Sequence, residues 1–168
     1  MRSTPLELAV RRNSGMKKWD AFRARASDLL GRPIDSASCE SLERTDEVFK
    51  RFGDQRTEAE RNCGSSAAAC HELADEHLLA MCIVDMNAKA PSTSALLFLP
   101  ESQWCGAVRT TIHEVLARAA EILRSKEDVL ACTPDGSIGV FITSPSEYLQ
   151  LDNGVPYRVV TWGFVMNR

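Results

Sequence analysis

The sequence predicts an α+β fold: N-terminal helices followed by a mainly antiparallel sheet with one long helix packed on it, in the order β-β-α-β-β-β. Three observations point there. Residues 1–66 are charged and periodic at helical spacing, whereas residues 67–168 turn to short apolar runs separated by turn residues. Over residues 106–123, Val108, Ile112, Val115, Leu116, Ala119, Ile122 and Leu123 fall on one helical face, with Arg109, His113, Glu114, Arg118 and Glu121 opposite. Between the apolar runs 129–132 and 138–142, Thr133-Pro134-Asp135-Gly136-Ser137 is hairpin chemistry, because proline presets φ and Asp-Gly tolerates φ > 0. The helical region 1–66 and the α+β region 67–168 are expected to form one compact unit.

Taken in order, Thr4-Pro5-Leu6-Glu7 starts a helix, with Thr4 as N-cap, Pro5 at the first helical position and Glu7 closing a capping box. Asn13-Ser14-Gly15 should interrupt it. A second helix over 16–30 then carries Trp19, Phe22, Ala26, Leu29 and Leu30 on one face, with Gly31 as its C-terminal cap. A third carries Leu42, Val48, Phe49 and Phe52, with Asp46–Lys50 and Glu47–Arg51 pairs four residues apart. Residues 53–66 read as a connector, and the alanines of 66–73 as a short helix. The uninterrupted apolar run 78–84 has the pattern of a strand buried on both faces, and 94–99 is a second strand expected to pair with it. Residues 144–149 form a short helix or strand start, and 156–165 alternate as a final strand.

Composition bounds the function classes. The chain has 168 residues, 44% hydrophobic and 26% charged, ordinary for a globular domain. No apolar run approaches the roughly 20 residues of a membrane span, and no apolar leader core is present, so a cytoplasmic protein without membrane contact is expected. Six cysteines lack regular spacing and are expected to be reduced thiols. The net charge is −3, yet residues 1–32 carry +5, so the remainder carries −8. The basic face of the early helices is either a solvated surface or a contact for an acidic partner or a nucleic-acid backbone.

Candidate chemistry is sparse. Cys63, Cys70, His71 and His77 are zinc-ligand types, but their spacing matches no metal clip, so no metal and no cofactor are expected. Cys105, read as lying just before a helix near Gly106, is a candidate nucleophile whose thiol a helix dipole would acidify. Asp85 is the best single acid. There is no phosphate loop, nucleophile elbow or HExxH pattern, and no enzymatic activity is expected.

Two resemblances lie in the second half. Residues 123–131 followed by Pro134-Asp135-Gly136-Ser137-Ile138-Gly139-Val140-Phe141-Ile142 look like the helix–strand–turn–strand core of GGDEF-type cyclase domains, without their catalytic turn signature. That likeness implies a non-cyclising regulatory domain binding a nucleotide or a protein. Leu99-Pro100-Glu101, Trp104, Thr133-Pro134-Asp135-Gly136…Gly139 and Tyr157…Trp162-Gly163 resemble small immunity proteins that neutralise bacterial toxins. The likeness implies a cytosolic, non-enzymatic inhibitor whose partner is a cognate toxin protein such as a nuclease, with no direct contact to nucleic acid. Candidate contacts are the aromatics Trp104, Tyr148 and Tyr157 with the acids Glu101, Asp135, Glu147 and Asp152 around them.

Overall fold

The computed structural model of the chain describes residues 4–61, 68–72, 93–118, 121–122, 129–136, 138–143, 148–150, 156–158 and 161–166. They form an α+β fold in which helices cover a six-stranded antiparallel sheet.

Helix α1 (Pro5–Leu30) starts as expected: Thr4 Oγ1 accepts from the Glu7 N–H at 3.3 Å, and the Glu7 carboxylate accepts from the Thr4 N–H at 2.7 Å. Asn13-Ser14-Gly15 does not interrupt it, contrary to the sequence expectation. Gly15 is buried against the short helix α3 (Ser102–Cys105), and a Cβ there would stand 2.3 Å from the Trp104 carbonyl oxygen. The glycine therefore permits a close approach of two backbones. Its cost to the helix, about 1 kcal/mol, is offset by burial of Phe22, Ala26, Leu29 and Leu30 on the same face. Gly31 closes the helix at φ 65°, and the Arg118 guanidinium donates to the Asp28 and Leu29 carbonyls at 3.0 and 3.3 Å.

Helix α2 (Leu42–Arg61) follows a 3-10 turn, Ser36–Ser38. It runs on through Gly53, so residues 53–61 are helix where a connector was expected. Gln55, Arg56, Glu58, Ala59, Glu60 and Arg61 are good helix formers by type, and Gly53 has open space around it.

The sheet comprises β1 (Ala68–Glu72), β2 (Ser94–Phe98), β3 (Val108–Thr111), β4 (Val129–Cys132), β5 (Ile138–Thr143) and β8 (Thr161–Met166), in the order β1-β8-β5-β4-β2-β3. Strands β6 (Tyr148–Gln150) and β7 (Pro156–Arg158) form a separate ribbon. Residues 68–72 are thus a strand rather than the expected helix, and the stretch 156–165 is divided between β7 and β8. The run 78–84 lies outside the described residues, and β2 pairs with β3 and β4.

Both faces of the central sheet are covered. Ala95, Leu97, Val129, Ala131 and Val140 meet α1 and the short helix α4 (Ile112–Ala117), whereas Leu96, Phe98, Leu130 and Cys132 meet Val48 and Phe52 of α2. Double coverage explains why β2 and β4 read as apolar runs without alternation. Gly139 of β5 makes room for Phe52: a Cβ there would lie 2.2 Å from the ring.

The long helix expected over 106–123 is instead a strand followed by a helix. Val108, Thr110 and Thr111 are β-branched and favour the pleat. Thr111 and Glu114 then form a further capping box that starts α4. The same Thr-x-x-Glu pattern is legible in the sequence. Strand β3 is one edge of the sheet, and its outer side is occupied: the Glu40 N–H donates to the Ala107 carbonyl at 2.8 Å, the Ala107 N–H donates to Thr45 Oγ1 at 2.9 Å, and Arg32 donates to the Arg109 carbonyl. Capping of this kind blocks pairing with another chain.

Candidate interaction surface

The charge asymmetry between the two ends of the chain is used inside the molecule. Arg11 makes two bonds to Asp46 at 2.6 and 2.9 Å, Arg12 pairs with Glu43 at 2.8 Å, and Arg25 contacts both oxygens of Glu101 at 2.9 and 3.0 Å. Arg32 lies 3.3 Å from Glu114. The basic front is therefore the docking face of α1 on an acidic body. Asp46 turns to Arg11 instead of the expected Lys50, while the expected Glu47–Arg51 pair forms at 2.8 Å.

These pairs decide the role of Glu101. Its side chain is only 16% exposed and bonded to Arg25, so it ties α3 to α1. Trp104, next along α3, is half-buried and remains accessible. Lys18 Nζ sits 3.9 Å from its ring centroid, a cation–π contact. A shallow hollow of about 300 Å³ opens beside the ring, with Met16 and Trp19 of α1 on one side and Glu40 and Glu43 on the other. Met16 is 73% exposed. Glu40 is held ionised, chiefly by the Ser41 N–H and then by Arg109, so its carboxyl lies below the usual range.

The remaining expected contacts do not gather there. Asp135 is exposed in the β4–β5 turn, where Thr133 Oγ1 donates to its carboxylate and Gly136 takes φ 75°. That hairpin is the one the sequence predicts, with Cys132 opposite Gly139. By register the turn lies at the Ser94 end of β2, and α3 at its Phe98 end, so Asp135 and Trp104 sit at opposite ends of the strand. Tyr148 and Tyr157 belong to the β6–β7 ribbon, adjacent in register through Leu149. Glu147 and Asp152 lie outside the described residues. Sequence reasoning missed Lys18, Met16, Glu40 and Glu43, which reach Trp104 only through the docking of α1 and α2.

Cys105 corrects another expectation. It is the last residue of α3, followed by the turn at Gly106 and then β3, so no helix begins after it. Burial first and Glu101 second push its thiol up, with Lys18 opposing. Burial also pushes Cys39 up to about 11 and Cys132 up to about 12. Among the described residues no cluster of three or more His, Cys, Asp or Glu could hold a metal ion. Cys63, His77 and Asp85 lie outside them. No helix among the described residues is long and apolar enough to cross a membrane.

Compared with protein-family models, curated proteins and solved structures, the chain matches none.

Proposed function

We propose that the protein is a non-enzymatic binding protein, an immunity-type inhibitor that docks on a cognate bacterial toxin domain and occludes its active site in the cytoplasm. The observation that carries this is the half-exposed Trp104, kept at the surface under Lys18 and beside the exposed Met16, with Glu40 and Glu43 at the border. Tryptophan is among the residues that dominate interface hot spots, and Trp104 is held at the surface as such an anchor. Steering at long range comes from the chain's net −3, since Glu43, Asp46, Glu101 and Glu114 are neutralised by Arg12, Arg11, Arg25 and Arg32.

The experiment is co-expression with the product of the adjacent toxin-bearing reading frame, followed by size-exclusion chromatography. A 1:1 complex is expected, and Trp104→Ala should weaken it by about 2 kcal/mol or more, some 30-fold in Kd. Tyr148→Ala and Tyr157→Ala measure what the ribbon adds. Absence of a complex, or one indifferent to Trp104→Ala, Tyr148→Ala and Tyr157→Ala alike, rejects the proposal.

A further inference from the structure

A second concavity, between α2 and the corner where β2 passes into α3, shares no lining residue with the Trp104 hollow. It is a cleft of about 400 Å³, walled by Phe49, Phe98, Leu99, Pro100, Val129 and Leu130. Two rings set its character. Phe98 is 4% exposed, as a core residue should be, but Phe49 is 53% exposed, although Phe52 one turn further along α2 is fully buried. Their centroids are 5.5 Å apart with planes tilted by 52°, which holds Phe49 upright at the mouth of the cleft.

The polar groups of the lining are already engaged. Asp46 is bonded through both oxygens to Arg11. Ser102 Oγ accepts from the Leu99 N–H, Thr45 Oγ1 accepts from the Ala107 N–H, and the Gln103 side-chain amide donates to the Pro100 carbonyl. A charged ligand would lose its hydration here without meeting a counter-charge, whereas a neutral flat one would lose little and gain apolar contact. The volume falls within the range of small-molecule sites.

We propose that this cleft binds a small, uncharged aromatic molecule of one or two fused rings, packed against Phe49 and Phe98. The site is independent of any toxin complex and is tested apart from it.

The test uses the full chain with indole as probe and indole-3-acetate as its charged counterpart, followed by saturation-transfer and protein-observed NMR titration. Phe49→Ala removes the outer wall. Gln103→Trp plugs the mouth from an exposed position, and circular dichroism checks that both variants fold. Saturable indole binding is expected, about three- to tenfold weaker in Phe49→Ala and absent in Gln103→Trp, with indole-3-acetate at least about tenfold weaker than indole. No saturable binding at millimolar indole overturns the proposal, as does binding unchanged in both variants or equal affinity for the anion. If indole fails while Phe49→Ala disrupts the toxin complex, the cleft belongs to a protein interface and the small-molecule site is rejected.

Discussion

Two glycine-to-alanine substitutions, one in each long helix, separate docking from helix propensity. In an exposed helix this change stabilises by about 1 kcal/mol, because glycine gives up more backbone freedom on folding. At Gly53 the new methyl group meets nothing within 4 Å, so Gly53→Ala should raise stability by about 1 kcal/mol, or about 2–4 °C in Tm for a chain of this size. At Gly15 the same methyl lands 2.3 Å from the Trp104 carbonyl oxygen and 3.1 Å from its carbon. A backbone carbonyl cannot swing aside as a side chain can, so α1 has to retreat from α3 by about 1 Å, an overpacking cost of about 3 kcal/mol. The retreat also strains the 2.6 Å bond from Arg11 to the Gln103 carbonyl. Against the propensity gain, the net loss for Gly15→Ala is about 2 kcal/mol, or about 4–8 °C in Tm. Urea melts and thermal scans followed by circular dichroism measure both variants. If Gly15→Ala is stabilised as much as Gly53→Ala, α1 does not pack on α3 through Gly15.

Three further outcomes follow from the same geometry. Thr45→Val keeps the shape of a 3%-exposed side chain but removes the acceptor of the Ala107 N–H, so stability should fall by about 1–3 kcal/mol and amide exchange at Ala107 should accelerate; unchanged exchange would contradict the cap. A double-mutant cycle on Arg25→Ala and Glu101→Ala should give a coupling of about 1 kcal/mol, as expected of a partly exposed pair, and zero coupling would release Glu101 from its structural role. Cys39 and Cys132 are neutral thiols in the folded state with values raised from 9.0 to about 11 and about 12, so their contribution is intact below pH 9 and is lost as pH rises from there through 11–12. Denaturation midpoints should fall over that window, and alkylation of Cys132 in the native protein at pH 8 should be slow; rapid labelling would contradict its burial.

What the sequence could determine was written within three or four residues of itself. Thr4 with Glu7, Gly31 after Leu30 and Asp135-Gly136 between two β-rich runs each set a cap or a turn through a local hydrogen bond or a permitted φ, and each stands in the structure as read. The apolar runs of β2 and β4 marked strands, and the structure covers both of their faces with helices. Tertiary structure decided the rest through partners far along the chain. Gly15 reads as a break until Trp104 is brought against it, 89 positions away. The helical period over 106–123 gave way at Val108 because Ala107 finds its bonds with Glu40 and Thr45, which makes a strand there satisfied and buried. Cys105 likewise lost its helix dipole to that strand, and Glu101 went to Arg25, leaving Trp104 at the surface under Lys18. Caps and turns need only neighbouring atoms, whereas close approaches, ion pairs and thiol acidity depend on which distant segment the core sets beside them.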